Sequence, residues 1–145
     1  KKESLLDQNQ RLMIIRMDVE DSPKLQVSDI EFSMPQPSYT IDTLMRLKQE
    51  HPENEYALIM GADNLKNFHK WKNYEQILED YSIYVYPRPG IKIDGSHKNI
   101  HIVEGVPQME ISASFIRESI KRKKDVSYLM PEKAWQYIDE MNFYK

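Results

Sequence analysis

From Ile111 to Arg117 the chain reads I-S-A-S-F-I-R. Ser112 and Ser114 stand where a helical pattern opens, and Arg117 follows one turn later. The first N–H groups of a helix have no intrahelical acceptor, and its aligned peptide dipoles leave partial positive charge there. Serine hydroxyls add donors, and a guanidinium adds a planar fork matched to phosphate oxygens. Together they predict an anion site, with a nucleotide phosphate as the anion.

Four further segments carry residue types suited to a ligand. Gly61-Ala62-Asp63 closes a short apolar run. Glycine lets a ligand approach the backbone, and Asp63 is either a ribose-hydroxyl acceptor or a helix N-cap. Ser38-Tyr39-Thr40 precedes a helical pattern; its hydroxyls and free N–H groups either receive a carboxylate or phosphate or cap the helix. Trp71 sits among charges in H-K-W-K-N, where its ring either stacks on a heteroaromatic ligand or half-packs against the next helix. Arg88 lies between two prolines, on a stiff loop that either meets a ligand or is only a connection.

Other chemistries are disfavoured. The four histidines, at 51, 69, 97 and 101, show no paired metal-ligand spacing. There is no nucleophile elbow and no Walker-type glycine loop. No protein-held metal is expected. Cysteine is absent, which excludes disulfides and thiolate chemistry and fits a reducing, cytoplasmic setting. The net charge of −3 offers no overall basic field for nucleic acid. The run Lys121-Arg122-Lys123-Lys124 is local, and is either a solvated helix C-terminus or a phosphate-steering patch. No apolar run approaches the ~20 residues that span a bilayer.

These residues need elements to hold them. The chain has 145 residues, 40% hydrophobic and 30% charged, which suits a single folded domain over 1–145. Helical spacing predicts helices over Leu5–Met17 (Ser4 as cap), from Ile41 to before His51-Pro52, briefly after Asp63, over Tyr74–Asp80 with Asn73 as cap, Ser114–Lys123 and Pro131–Met141. Strands are predicted at Leu25–Phe32, at Tyr56–Met60 with both faces buried, at Tyr81–Tyr86 and at Ile100–Val103. Gly90–Asn99 reads as a polar loop. Strands alternating with helices predict an open parallel α/β sheet, whose ligands sit beyond the carboxyl ends of the strands.

Six segments, in order along nearly the whole chain, resemble the bacterial nicotinate-mononucleotide adenylyltransferases. They are P-S-Y-T-I-D-T-L (Pro37–Leu44), I-M-G-A-D (Ile59–Asp63), K-W-K-N-Y-E-Q-I-L (Lys70–Leu78), R-P-G (Arg88–Gly90), I-S-A-S-F-I-R and Y-L-M-P-E-K-A-W-Q-Y-I (Tyr128–Ile138). The resemblance implies a Rossmann-like nucleotidyltransferase fold with helices on both sheet faces. It implies transfer of the adenylyl group of ATP to nicotinate mononucleotide, giving deamido-NAD and pyrophosphate. Trp71 would then stack on the pyridine ring, and Thr40 with Ser38 and nearby N–H groups would hold the carboxylate. Gly61 and Asp63 would line the ribose region, and Arg88 would lie near the adenine. Ser112, Ser114 and Arg117 would cradle the ATP phosphates, with Arg117 the catalytic charge donor and Mg²⁺ carried on the phosphates. Related adenylyltransferases acting on phosphopantetheine or the amide nucleotide are the alternative, as is a non-catalytic nucleotide-binding module. A homodimer is left open.

The family's G-x-F-x-P-x-H-x-G-H segment, whose histidines bind phosphate, does not occur in these 145 residues. The expectation is therefore about 45 further residues upstream, carrying the first strand, a length within the usual domain range. The 145 residues alone are expected to be inactive.

Overall fold

A computed structural model describes residues 5–91, 93, 96–107 and 110–145. The proposed Ser4 cap and residues 92, 94 and 95 of the polar loop lie outside the described residues. The chain divides into two compact units, Ile30–Met109 and Lys1–Asp29 with Glu110–Lys145.

The first unit is built on a parallel sheet. A 3₁₀ turn, Ile30–Ser33, precedes α2 (Thr40–Glu50), β1 (Ala57–Gly61) and α3 (Ala62–Lys66). A second 3₁₀ turn, Phe68–Lys70, leads to α4 (Tyr74–Asp80), β2 (Ser82–Tyr86) and β3 (Ile100–Ile102). The strand order is β1-β2-β3, both pairs parallel. Leu58 pairs with Ile83 and Met60 with Val85, so the apolar residues of neighbouring strands share one face. Ile41 and Leu44 of α2, Ile77 of α4 and Phe68 close over that face. Ile77, Ile83 and Val85 are fully buried. Ile77→Ala should therefore destabilise by roughly 2–5 kcal/mol, the usual range for truncating a buried aliphatic. Urea unfolding of the variant checks this through a lowered midpoint at unchanged slope.

The second unit is helical. It comprises α1 (Gln8–Val19), α5 (Ala113–Lys121), a 3₁₀ turn at Ser127–Leu129 and α6 (Glu132–Glu140). Ile120, Val126 and Ile138 form its core, with Ile14, Ile116 and Trp135 packed against them. Asp18 of α1 accepts from the Ala134 N–H at 3.0 Å, which caps the start of α6 from another helix. Lys133 pairs with Glu20 and Asp21. Those carboxylates push its ammonium pKa upward, so it stays charged across the ordinary pH range.

Several sequence expectations need correction. Leu25–Phe32 forms no strand. Its alternation places Leu25 and Phe32 in solvent, 57% and 40% exposed. Side-chain bonds close its end into a turn instead: Ser33 Oγ donates to the Ile30 carbonyl at 2.9 Å, and Glu31 accepts from Ser38 and Thr43. β1 is buried on one face only, since Ile59 is 80% exposed; a continuous apolar run does not reveal which face finds a partner. The first helix runs to Val19 and starts after Asp7, whose carboxylate accepts from the Asn9 N–H at 2.8 Å. Asn73 precedes α4 in the left-handed conformation (φ 50°) and makes no side-chain cap. Pro131 stands just outside α6 rather than at its first position.

Candidate functional site

β1 and β2 run parallel, so their carboxyl ends lie side by side, with Gly61 paired to Tyr86. Four of the residues there form one cluster. Asp63 is not the cap of α3; that position is Gly61, and Asp63 falls in the first turn. This leaves its carboxylate half in solvent, facing the Arg88 guanidinium at 3.6 Å. That distance is ionic rather than a hydrogen bond. Arg88 Nε is buried and has no hydrogen-bond partner among the described residues. Arg88 Nη2 donates to the Tyr86 hydroxyl at 3.3 Å, and the guanidinium lies 5.2 Å from the Tyr86 ring centroid. A Cβ on Gly61 would stand 2.5 Å from Asp63 Oδ1 and 3.2 Å from the Tyr86 hydroxyl. The glycine is therefore needed for space, not for its φ of −78°. The R-P-G turn ends on Gly90 at φ 73°, where glycine is conformationally favoured.

The start of α2 is open. Its cap position is Tyr39, which makes no side-chain cap bond, and the first intrahelical bond runs from Thr43 N–H to the Tyr39 carbonyl at 3.1 Å. Ser38 does not cap the helix; its hydroxyl donates to Glu31 at 3.2 Å. Thr43 donates to the same carboxylate at 2.7 Å. Glu31 thus bridges Ser38 to Thr43 across the start of α2, and the leading N–H groups of α2, Thr40 among them, keep no intrahelical acceptor.

Trp71 follows the Phe68–Lys70 turn and is half-buried. Its ring meets Phe68 edge-on at 5.3 Å, and Phe68 meets Tyr74 at 6.0 Å. One side of the indole is therefore packed on the core while the residue keeps exposed surface. The Glu75 charge pushes the Tyr74 phenol upward, so it remains a neutral donor to Glu75, at 3.3 Å. Lys72, beside Trp71, bonds both carboxylate oxygens of Asp42 in α2, at 2.8 and 3.1 Å. The loop bearing Trp71 and the start of α2 are thereby tied together.

In the helical unit, Ser112 is the cap of α5, accepting from the Phe115 N–H at 3.1 Å. Ser114 accepts from Arg117 Nη2 at 3.2 Å. The arginine is thus folded back over the helix start, with Ser112 and Ser114 both exposed. The basic run lies at the other end of α5. There Lys121, Lys123 and Lys124 border a cavity of about 420 Å³ with Ile120 and Trp135.

The structure therefore groups Gly61, Asp63 and Arg88, groups Ser112, Ser114 and Arg117, and ties the loop bearing Trp71 to the helix that Thr40 opens. Sequence reading missed Tyr86, Glu31, Asp42 and Lys72. Only strand register could have placed Tyr86 beside Gly61; the Lys72–Asp42 contact spans 30 residues, and Glu31 reaches hydroxyls 7 and 12 residues on. No group of three or more His, Asp or Glu that could hold a metal occurs among the described residues. Nor is any helix among them long and apolar enough to cross a membrane.

The cytidylyltransferase-like family matches residues 1–119. The chain is 53% identical over its whole length to the probable nicotinate-nucleotide adenylyltransferase of Flavobacterium psychrophilum, of which it covers 77%. Over 99% of its length it is 42% identical to the protein of the same name from Cytophaga hutchinsonii, covering 76% of it. The solved structure of Plasmodium falciparum nicotinic acid mononucleotide adenylyltransferase complexed with NaAD aligns with a TM-score of 0.78 at 21% identity. That alignment covers 99% of this chain and 77% of the other, and shows the Rossmann-like nucleotidyltransferase fold. On identity and coverage together, this chain belongs to the nicotinate-nucleotide adenylyltransferases, within the cytidylyltransferase-like family.

Proposed function

We propose that the protein transfers the adenylyl group of ATP to nicotinate mononucleotide, releasing pyrophosphate and forming the deamido dinucleotide of NAD biosynthesis. The observation that carries this reading is the cluster of Gly61, Asp63, Tyr86 and Arg88 at the carboxyl ends of adjacent parallel strands, where open α/β sheets take their ligands. In that cluster Asp63 accepts from ribose hydroxyls, and Gly61 lets the nucleotide lie against the backbone. Arg88 Nε, which faces Asp63 at 3.6 Å but makes no hydrogen bond among the described residues, is a donor left for the adenine side.

The open start of α2 suits the pyridine carboxylate, with Ser38 holding its loop, Thr40 and the leading N–H groups as donors, and Trp71 as the stacking surface. The α5 start, with Ser112, Ser114 and Arg117, suits the triphosphate. An oxygen of the mononucleotide phosphate attacks the α-phosphorus of ATP, and the bond to the pyrophosphate oxygen breaks. No side chain becomes covalently attached, and positioning with charge stabilisation supplies the catalysis. Arg117 neutralises charge growing on the departing pyrophosphate. Mg²⁺ would be held by the substrate phosphates and water rather than by a carboxylate cluster, and would supply screening of the phosphate charge. The absence of cysteine supports a cytoplasmic setting.

The test is incubation of the full-length protein with ATP and Mg²⁺ plus nicotinate mononucleotide, the amide mononucleotide or phosphopantetheine in parallel. The dinucleotide, separated by chromatography and matched by released pyrophosphate, is expected fastest with the acid substrate. Adenylylation of phosphopantetheine alone, or ATP binding without any product, would overturn the reading.

A further inference from the structure

Asp42 lies in the first turn of α2, two residues after Thr40. A carboxylate there stabilises the helix dipole, but it also opposes any second anion brought to the same helix end. Lys72 answers that charge. Its ammonium bonds both Asp42 oxygens, at 2.8 and 3.1 Å, and stands 4.8 Å from the Tyr39 ring centroid. The two side chains are 43% and 38% exposed, so solvent screens the pair without abolishing its field. The pair joins residues 30 apart in sequence, on the two segments bearing Thr40 and Trp71.

We propose that the Lys72–Asp42 pair is a specificity device for the acid nucleotide over its amide, resting on the functional reading above. With Lys72 in place, Asp42 is neutralised, and the other carboxylate at this end of α2, Glu31, has its oxygens occupied by the Ser38 and Thr43 hydroxyls; the leading N–H groups then meet a pyridine carboxylate with one opposing charge fewer. With Lys72 lost, Asp42 becomes an uncompensated anion at the entrance of the carboxylate subsite. A carboxamide, carrying no charge, is indifferent to the change. Lys72 and Asp42 are positioning residues: neither needs to touch the reacting phosphorus.

The experiment compares the full-length wild type, Lys72→Met, and the Lys72→Met/Asp42→Asn double variant, each with acid and amide mononucleotides at saturating ATP. Methionine keeps the length of the side chain and removes its charge. Lys72→Met should raise KM for the acid about tenfold, the scale of one unit charge a few ångströms from another at a half-exposed surface. KM for the amide and kcat for both should stay within about twofold, on the reading that only ground-state binding is altered. The double variant should recover most of the lost acid affinity, because the repelling anion is gone.

A merely structural strap predicts otherwise: both substrates weaken together, and the double variant is no better than the single. Either result overturns the proposal. Wild type that makes no dinucleotide from either substrate overturns the functional reading, and this inference with it. Normal wild-type turnover with an unmoved acid-to-amide ratio in Lys72→Met overturns this inference alone.

Discussion

Arg117→Ala is expected to lower the turnover of the full-length protein ~10²-fold, the scale of losing one oriented donor to developing charge. The guanidinium is poised over the first turn of α5, anchored by Nη2 to Ser114 at 3.2 Å. Among the described residues that neutral contact is its one hydrogen bond, and a guanidinium has further N–H groups to offer a phosphate. Truncation removes charge but little packing, because the side chain is not among the buried core of its unit. The thermal midpoint should accordingly stay near that of the wild type. Arg117→Lys retains charge without the fork and should recover part of the rate. Steady-state kinetics with ATP varied checks this. A rate unchanged in the alanine variant would remove Arg117 from the reaction.

Gly61→Ala is expected to lower kcat/KM by ~10- to 10²-fold, the scale of misplacing a positioning group by about 1 Å. The backbone at Gly61 (φ −78°) accepts any residue, so the cost is purely one of room. The added methyl would lie 2.5 Å from Asp63 Oδ1, a separation no stable contact tolerates. The carboxylate must swing aside, weakening its attraction to Arg88, while the Tyr86 hydroxyl at 3.2 Å restricts where it goes. Because the displaced group is the tip of an exposed side chain, stability should change little. The decisive comparison is with Asp63→Ala. If the methyl acts through Asp63, adding Gly61→Ala to that variant costs little more, and the two effects are strongly non-additive. Independent, additive losses would refute the steric argument.

The fold was legible wherever a period ran without competition. α2, α4, β2 and β3 came from apolar spacing and from punctuation by proline, because their inward faces are the core. Leu25–Phe32 failed because partial alternation says nothing about an available partner strand, and because Glu31 binds hydroxyls 7 and 12 residues away. Ile59 failed for a related reason: burial belongs to the pair of surfaces, not to the run of letters.

The site divides in the same way. Ser112 and Ser114 announce a helix start locally, and Trp71 stands out as an aromatic among charges. Tyr86 and the Lys72–Asp42 pair depend on parallel register and on a contact across 30 residues, which no local window contains.

One of the two units is a continuous stretch, Ile30–Met109, whereas the other needs both flanks of it. On the ribosome the strands and their covering helices can complete a core while α5 and α6 are still unmade, since domains fold as units during synthesis. Among the described residues, α1 packs on α6 and on the cluster that α5 joins, and both helices are translated after Met109. Ile14 gains those contacts only then. Slowing translation after Met109 should delay the docking of α1 on α6 and leave the sheet untouched.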